Sequence, residues 1–131
     1  FPEETEEEFA ASLDFIRRCG FAQMHIFPYS VRPGTPAADL PGRVPAPVIE
    51  RRPAALGELC DRLHRAFCRS HDGRTASVLW ESTRRDGRMF GYSENYIKVR
   101  APFDRSRVNT ISPVVLRASD DGAAMDATFL A

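Results

Sequence analysis

The sequence predicts an α+β fragment: a helix and strand of α/β type, a connecting helix, then a small five-stranded antiparallel β-barrel. Three observations carry this. Residues 5–27 read as a capped helix followed at once by a strand. Pro28 to Pro47 holds six prolines. Residues 73–131 hold five short strand-like runs separated by Asp-Gly turns.

Thr5 followed three residues later by Glu8 is a capping box, in which each side chain satisfies a backbone N–H the helix leaves open. Glu6, Glu7 and Glu8 suit the positive end of the helix dipole, and Arg17 and Arg18 suit the negative end. Phe9, Leu13 and Ile16 recur on one face, and Gly20 is expected as a left-handed cap. Phe21–Phe27 is expected as a strand, with Ala22, Met24 and Ile26 on one face and Phe21, Gln23, His25 and Phe27 on the other. One helix and one strand cannot bury both faces alone, so exposed apolar surface over Phe9–Phe27 is expected to pair with another copy or stay partly disordered. His25 either faces a site or is an interior histidine with its hydrogen bonds satisfied. Nothing nearby completes a catalytic pair, which favours the second.

Prolines at 28, 33, 36, 41, 45 and 47 exclude a helix or central strand and make a long, stiff connection of a functional or interdomain kind. Val48 to about Ser70 reads as a helix, its firm part starting near Pro53, with Leu56, Leu59, Leu63 and Phe67 on one face. Strands follow over Thr75–Glu81, Arg88–Tyr92, Tyr96–Ala101, Val108–Ala118 (interrupted by Pro113) and Ala124–Leu130. Asp86-Gly87 makes a hairpin turn after Arg85, and Asp120-Asp121-Gly122 makes another turn. The expected barrel core is Trp80, Phe90, Ile97, Val99, Ile111, Val115, Leu116, Met125, Phe129 and Leu130.

With 131 residues, 43% apolar, 27% charged and a formal net charge of zero, bulk electrostatics announce no nucleic-acid partner. The charge is uneven, however. Residues 1–72 carry 9 Lys/Arg against 11 Asp/Glu, and residues 73–131 carry 9 against 7. Arg84, Arg85, Arg88, Lys98, Arg100, Arg105 and Arg107 lie close together among aromatic neighbours, a pattern compatible with RNA. Three cysteines are too few for a secreted disulfide framework, and no signal peptide or long apolar run supports secretion or membrane insertion. A cytoplasmic location is expected. The chain begins without Met, as a piece of something longer would.

Cys60, His64 and Cys68 fall at i, i+4, i+8 on the second helix, with His71 beyond. Ligands on one helix do not grip an ion tetrahedrally, so no metal site is expected. Neither a nucleophile–base pair, a phosphate-binding glycine loop nor a paired-acid motif is present, and no catalytic residue is assigned. The run Gly91-Tyr92-Ser93-Glu94-Asn95-Tyr96-Ile97-Lys98-Val99 joins two strands through a polar cluster. It is either a hairpin whose Ser93 and Asn95 serve the turn, or a set of contact groups on a rigid scaffold.

Four stretches appear in order: Phe1-Pro2-Glu3-Glu4-Thr5, His25-Ile26-Phe27-Pro28-Tyr29-Ser30-Val31-Arg32-Pro33-Gly34-Thr35-Pro36-Ala37, Gly73-Arg74-Thr75, and Gly91 to Val99. With them, essentially the whole chain resembles the C-terminal portion of the radical S-adenosylmethionine tRNA methylthiotransferases. The resemblance implies that residues 1–52 are the last units of a partial TIM-type barrel with its exit loop. Residues 53–72 would be a linker helix, and residues 73–131 an OB-like TRAM domain that holds tRNA. The implied reaction is methylthiolation at C2 of N6-threonylcarbamoyladenosine beside the anticodon, with isopentenyladenosine as the alternative substrate. The parent would require S-adenosylmethionine and two 4Fe-4S clusters.

This chain alone would bind none of these and would be inactive, since the radical-cluster motif Cys-x3-Cys-x2-Cys is absent and Cys19, Cys60 and Cys68 do not replace it. Its implied partners are the tRNA anticodon stem-loop and the rest of the parent enzyme, with no membrane. The RNA contacts would be Arg88, Tyr92, Ser93, Glu94, Asn95, Tyr96, Lys98 and Arg100. Glu4, Thr5, His25, Tyr29, Ser30 and Arg32 would be ligand contacts on the barrel face of the parent. Glu3 departs from the family pattern, which has Gly there, and this puts a close backbone approach in doubt. A rival reading has the β-barrel dock on its own catalytic domain or another protein with little RNA contact.

Overall fold

The Thr5–Glu8 capping box opens the first helix as expected: the Thr5 side chain accepts from Glu8 N at 3.2 Å, and Glu8 accepts from Thr5 N at 2.8 Å. The structure, a computed structural model, describes residues 1–120, 122 and 124–130. The chain forms two compact units, residues 1–64 and 65–131, and the boundary falls inside the second helix.

In the first unit, α1 (Glu6–Cys19) ends at Gly20, which takes the left-handed φ of 63°. Residues 21–27 form no strand, which corrects the expected element. A strand is held by a hydrogen-bonded neighbour, and no described residue pairs with this segment. Its alternation survives all the same: Ala22, Met24 and Ile26 are half-buried, while Phe21, Gln23, His25 and Phe27 are exposed. His25 is therefore not an interior histidine; its ring stacks on that of Phe27. A single 3-10 turn, Pro36–Ala38, interrupts the proline-rich connection. The second helix, α2 (Ala46–Arg69), starts earlier than expected, so Pro53 lies inside it instead of at its first turn.

The second unit is a closed barrel of β1 (Thr75–Arg85), β2 (Arg88–Ser93), β3 (Lys98–Pro102), β4 (Ile111–Arg117) and β5 (Met125–Phe129), in the order β1-β2-β3-β5-β4. Asp86 (φ 50°) and Gly87 (φ 72°) make the two-residue turn between the paired Arg85 and Arg88, the geometry a tight hairpin requires. The barrel is not wholly antiparallel. β3 and β5 run parallel, pairing Val99 with Met125 and Arg100 with Asp126. An odd number of strands cannot alternate direction all the way round a ring, so one pairing must be parallel. Of the turn at residues 120–122, Asp121 lies outside the described residues.

Val78, Trp80, Met89, Ile97, Val99, Ala101, Val114, Leu116 and Met125 form the barrel core, with Phe67, Cys68, Phe103 and Phe129 packed against it. Four expected core residues lie elsewhere. Ile111 and Leu130 are exposed, and Phe90 and Val115 are only half-buried. Runs such as Met89-Phe90 and Val114-Val115-Leu116 are apolar on both parities, so alternation cannot say which parity faces inward. Pairing register decides it.

Gly91 leaves no room for a side chain in the wall. A Cβ there would collide with the Leu79 carbonyl oxygen and lie 2.7 Å from Val78 Cγ1. Gly91→Ala should cost the barrel about 1–3 kcal/mol, read as a lowered urea midpoint in the fluorescence of Trp80.

Candidate nucleic-acid interface

Side chains of β2 alternate across the barrel wall. Met89, Gly91 and Ser93 turn inward, and Arg88, Phe90 and Tyr92 turn outward. On β3 the outward set is Lys98, Arg100 and Pro102. Antiparallel register puts Tyr92 opposite Lys98 and Phe90 opposite Arg100. The Lys98 ammonium stands 5.3 Å from the centre of the Phe90 ring, within cation–π range. An open groove of about 470 Å³ runs over this face, lined by Glu81, Arg85, Arg88, Phe90, Tyr92, Lys98 and Arg100 among others. A cross-strand row extends the face: Ile111 pairs with Leu79, Leu79 with Tyr92, and Tyr92 with Lys98. Ile111 is 69% exposed, Leu79 51% and Tyr92 40%, so the row lies on the surface and not in the core.

The eight residues expected to touch RNA therefore divide in two. Arg88, Tyr92, Lys98 and Arg100 share the outer face. Ser93, Glu94, Asn95 and Tyr96 belong to the β2–β3 turn and its edge. Ser93 is buried, and its hydroxyl donates to Asn95 Oδ1 at 2.6 Å and accepts from Ile97 N at 3.0 Å. Glu94 accepts from Ser77 N. Tyr96 takes a left-handed φ of 63°, which is why β3 starts at Lys98, and the residue is 75% exposed.

Phe90, Leu79 and Ile111 are the surface residues that sequence reasoning missed, while Arg85 was read only as part of the basic stretch. The parity of Phe90 with Arg88 and Tyr92 was the available signal. Nothing local exposes Leu79 or Ile111.

Asp126 is another residue no motif announced. Its Oδ1 accepts from Arg88 Nη1 and from Arg100 Nε, each at 2.8 Å. The Arg100 hydrogen bond above all, joined by the charges of both guanidiniums, holds this carboxyl below its ordinary value, against a smaller opposing push from burial. Asp126 thus tempers the positive charge of the groove.

In the first unit Arg52, 7% exposed, donates to Glu4 Oε2 and Glu6 Oε1, each at 2.8 Å, and to Glu4 O at 3.0 Å. It thereby ties α2 to the start of α1. Its hydrogen bond is the main cause holding the Glu6 carboxyl low. Thr5 is occupied as a cap, and Tyr29 packs edge-on against Phe1 with its hydroxyl buried and without a partner. Ser30 and Arg32 are exposed in the connection, where the Arg32 carbonyl accepts from Thr35. Glu4 and Tyr29 line one apolar pocket of this unit, while His25 points to solvent beside Phe27. Glu3 adopts φ 64°, a conformation natural to glycine, and its N–H donates to Gly42 O at 2.9 Å.

Cys19 is exposed and Cys60 and Cys68 are half-buried, and among the described residues none of the three is in a disulfide. Among the described residues no three His, Cys, Asp or Glu side chains gather closely enough to hold a metal ion. The cysteines belong to no such group. No described helix is long and apolar enough to cross a membrane.

Two helices followed by a closed, mostly antiparallel five-stranded barrel define a small α+β fold with a TRAM-type, OB-like barrel. No protein-family model matches the chain. Curated relatives do. The chain is 35% identical over 103 residues, 76% of its length, to the threonylcarbamoyladenosine tRNA methylthiotransferase MtaB of Bacillus subtilis. It is 46% identical over 79 residues, 60% of its length, to a tRNA-2-methylthio-N(6)-dimethylallyladenosine synthase of Mycolicibacterium paratuberculosis. It is 44% identical over 95 residues, 71% of its length, to the synthase of that name from Magnetococcus marinus. The chain belongs to the radical S-adenosylmethionine tRNA methylthiotransferase family. It spans only 23%, 15% and 22% of the length of these three relatives.

Two outcomes are expected from this geometry. The carboxyl of Asp126 is depressed in the folded state, so its stabilisation is complete above the ordinary value of 3.8 and is lost as pH falls through the folded value. Urea unfolding should therefore show a constant deficit for Asp126→Asn between about pH 5 and about pH 7, shrinking in stronger acid. Glu3→Gly relieves a left-handed backbone and should raise the melting temperature of the first unit, a gain of about 1 kcal/mol, in circular dichroism.

Proposed function

We propose that this chain serves a tRNA methylthiotransferase by holding tRNA, and carries none of the radical chemistry itself. In this reading residues 1–52 belong to the catalytic barrel, 53–72 to a linker helix and 73–131 to the RNA-holding TRAM domain. The parent would draw on S-adenosylmethionine and two 4Fe-4S clusters held by residues outside this sequence. One observation carries the reading: aromatic and cationic side chains interleave on one outer face, Tyr92 beside Lys98 and Phe90 beside Arg100. Such a face suits an unpaired stretch of RNA, whose bases stack on rings while cations neutralise phosphates. Tyr96, exposed in the turn, adds a second ring. The target is then the anticodon stem-loop, whose loop bases are unpaired.

The substrate we favour is N6-threonylcarbamoyladenosine, methylthiolated at C2, because the relative named for it matches 76% of the chain. Dimethylallyladenosine is the second choice, supported by higher identity over a shorter span. A different reading has the barrel dock on protein. The exposed Ile111–Leu79 row and the pairing of Arg88 and Arg100 with Asp126 favour it.

Titration of the whole chain with an anticodon stem-loop RNA at several salt concentrations separates the two. Tyr92→Ala should weaken binding by about 1–3 kcal/mol. Lys98→Ala should flatten the log–log salt slope by about 0.7–0.9. Asp126→Asn, which removes the carboxylate charge facing two guanidiniums, should tighten binding and steepen the slope. Affinity indifferent to salt and to all three changes would leave the protein-docking reading standing.

A further inference from the structure

His71 follows the last turn of α2 and belongs to neither the groove nor any metal cluster. Its ring is nevertheless held at four points. The Phe67 ring packs against it with centroids 4.5 Å apart. Nδ1 lies 2.8 Å from the Phe67 carbonyl oxygen and 3.2 Å from Ser70 Oγ, whose own proton goes to that carbonyl at 2.7 Å, and Nε2 lies 3.0 Å from Asn95 Nδ2. A carbonyl oxygen only accepts, so Nδ1 carries the proton, and in the neutral ring Nε2 is left as an acceptor. Asn95 Nδ2 donates to it. This fixes which way the Asn95 amide faces: Oδ1 points to Ser93 and accepts its hydroxyl proton at 2.6 Å. The Ser93 oxygen in turn accepts from Ile97 N at 3.0 Å, and Tyr96 N donates to Ser93 O at 3.0 Å. A flipped amide would set Oδ1 against the Nε2 lone pair.

Tyr96 stands between two residues anchored by this chain of bonds. A left-handed backbone is costly for a tyrosine and persists only where its surroundings over-determine it. The half-buried Phe67–His71 contact supplies that determination from the helix side, and Tyr96 is left 75% exposed.

We infer that His71 is a positioning residue for RNA: through the Asn95 amide it holds the β2–β3 turn so that Tyr96 presents its ring to an unpaired base. The inference rests on the RNA-holding role proposed above. It makes Ser93 and Asn95 internal members of the turn, and it gives Tyr96, not their polar groups, the contact with the ligand.

A double-mutant cycle on the whole chain tests this, with an anticodon stem-loop RNA as probe and Trp80 fluorescence as the fold control. Tyr96→Ala should weaken binding about tenfold. His71→Ala should lose most of that factor without touching RNA, and His71→Ala with Tyr96→Ala should be no worse than Tyr96→Ala alone. His71→Gln, whose amide oxygen can accept from Asn95 in place of Nε2, should restore binding. Additive losses in the cycle, or full affinity in His71→Ala, would overturn the assignment.

The amide-to-α-proton coupling of Tyr96 in the free protein provides the second readout. It should leave its left-handed value in His71→Ala and keep it in His71→Gln. If the unaltered chain binds no stem-loop, the RNA-holding role fails, while the coupling still decides whether His71 sets Tyr96. An unchanged coupling in His71→Ala refutes that too. Should His71→Ala unfold the barrel, Asn95→Ala cuts the same link from the exposed side and takes its place in both measurements.

Discussion

Closing a ring from five strands is the constraint on which the second unit depends. Four antiparallel pairings leave β3 and β5 pointing the same way, and their short parallel ladder seals the wall. That ladder sets Asp126 beside Arg100, within reach of Arg88 as well. The seam is therefore structural and electrostatic at once: the pairing that completes the core also determines how much positive charge the outer groove keeps. Gly91 serves the same closure from the other side, since the wall bends there too tightly to admit a Cβ.

Function on such a barrel lies in the outward set of side chains. The inward residues, Trp80, Met89 and Val99 among them, are constrained by packing and carry no chemistry. The outward ones are free of that duty, so aromatic rings there call for a different explanation. Phe90 and Tyr92 alternate with cations across two strands, and Tyr96 stands at the turn. The last turn of α2 packs against the barrel core through Phe67, and His71 just beyond it reaches the β2–β3 turn through Asn95.

In the first unit a buried guanidinium does the corresponding work. Arg52 gathers Glu4 and Glu6 at the start of α1 and leaves the Phe9 ring beneath it. Residues 21–27 keep the alternating burial of a strand without strand pairing. The pattern in the residues fixes which face is covered, while hydrogen bonding needs a neighbour that the described residues do not provide. The left-handed Glu3 has a related explanation: the resemblance places Gly at this position, and the backbone retains the conformation a glycine would take.

What the sequence determined by itself is local. The capping box, the Gly20 cap, the Asp86-Gly87 hairpin and the number of barrel strands all follow from backbone preferences within a few residues, and each is present. Arg88, Tyr92, Lys98 and Arg100 were legible as surface groups because alternation survives in their strands. Tertiary structure alone decided the rest. The inward parity of Val78, Met89 and Val114, the exposure of Leu79 and Ile111, the Asp126 partnership and the reach of His71 to Asn95 all depend on register and closure between segments far apart in the chain. Short-range propensity carries no information about such pairings, because the free energy that selects them exists only once the ring has closed.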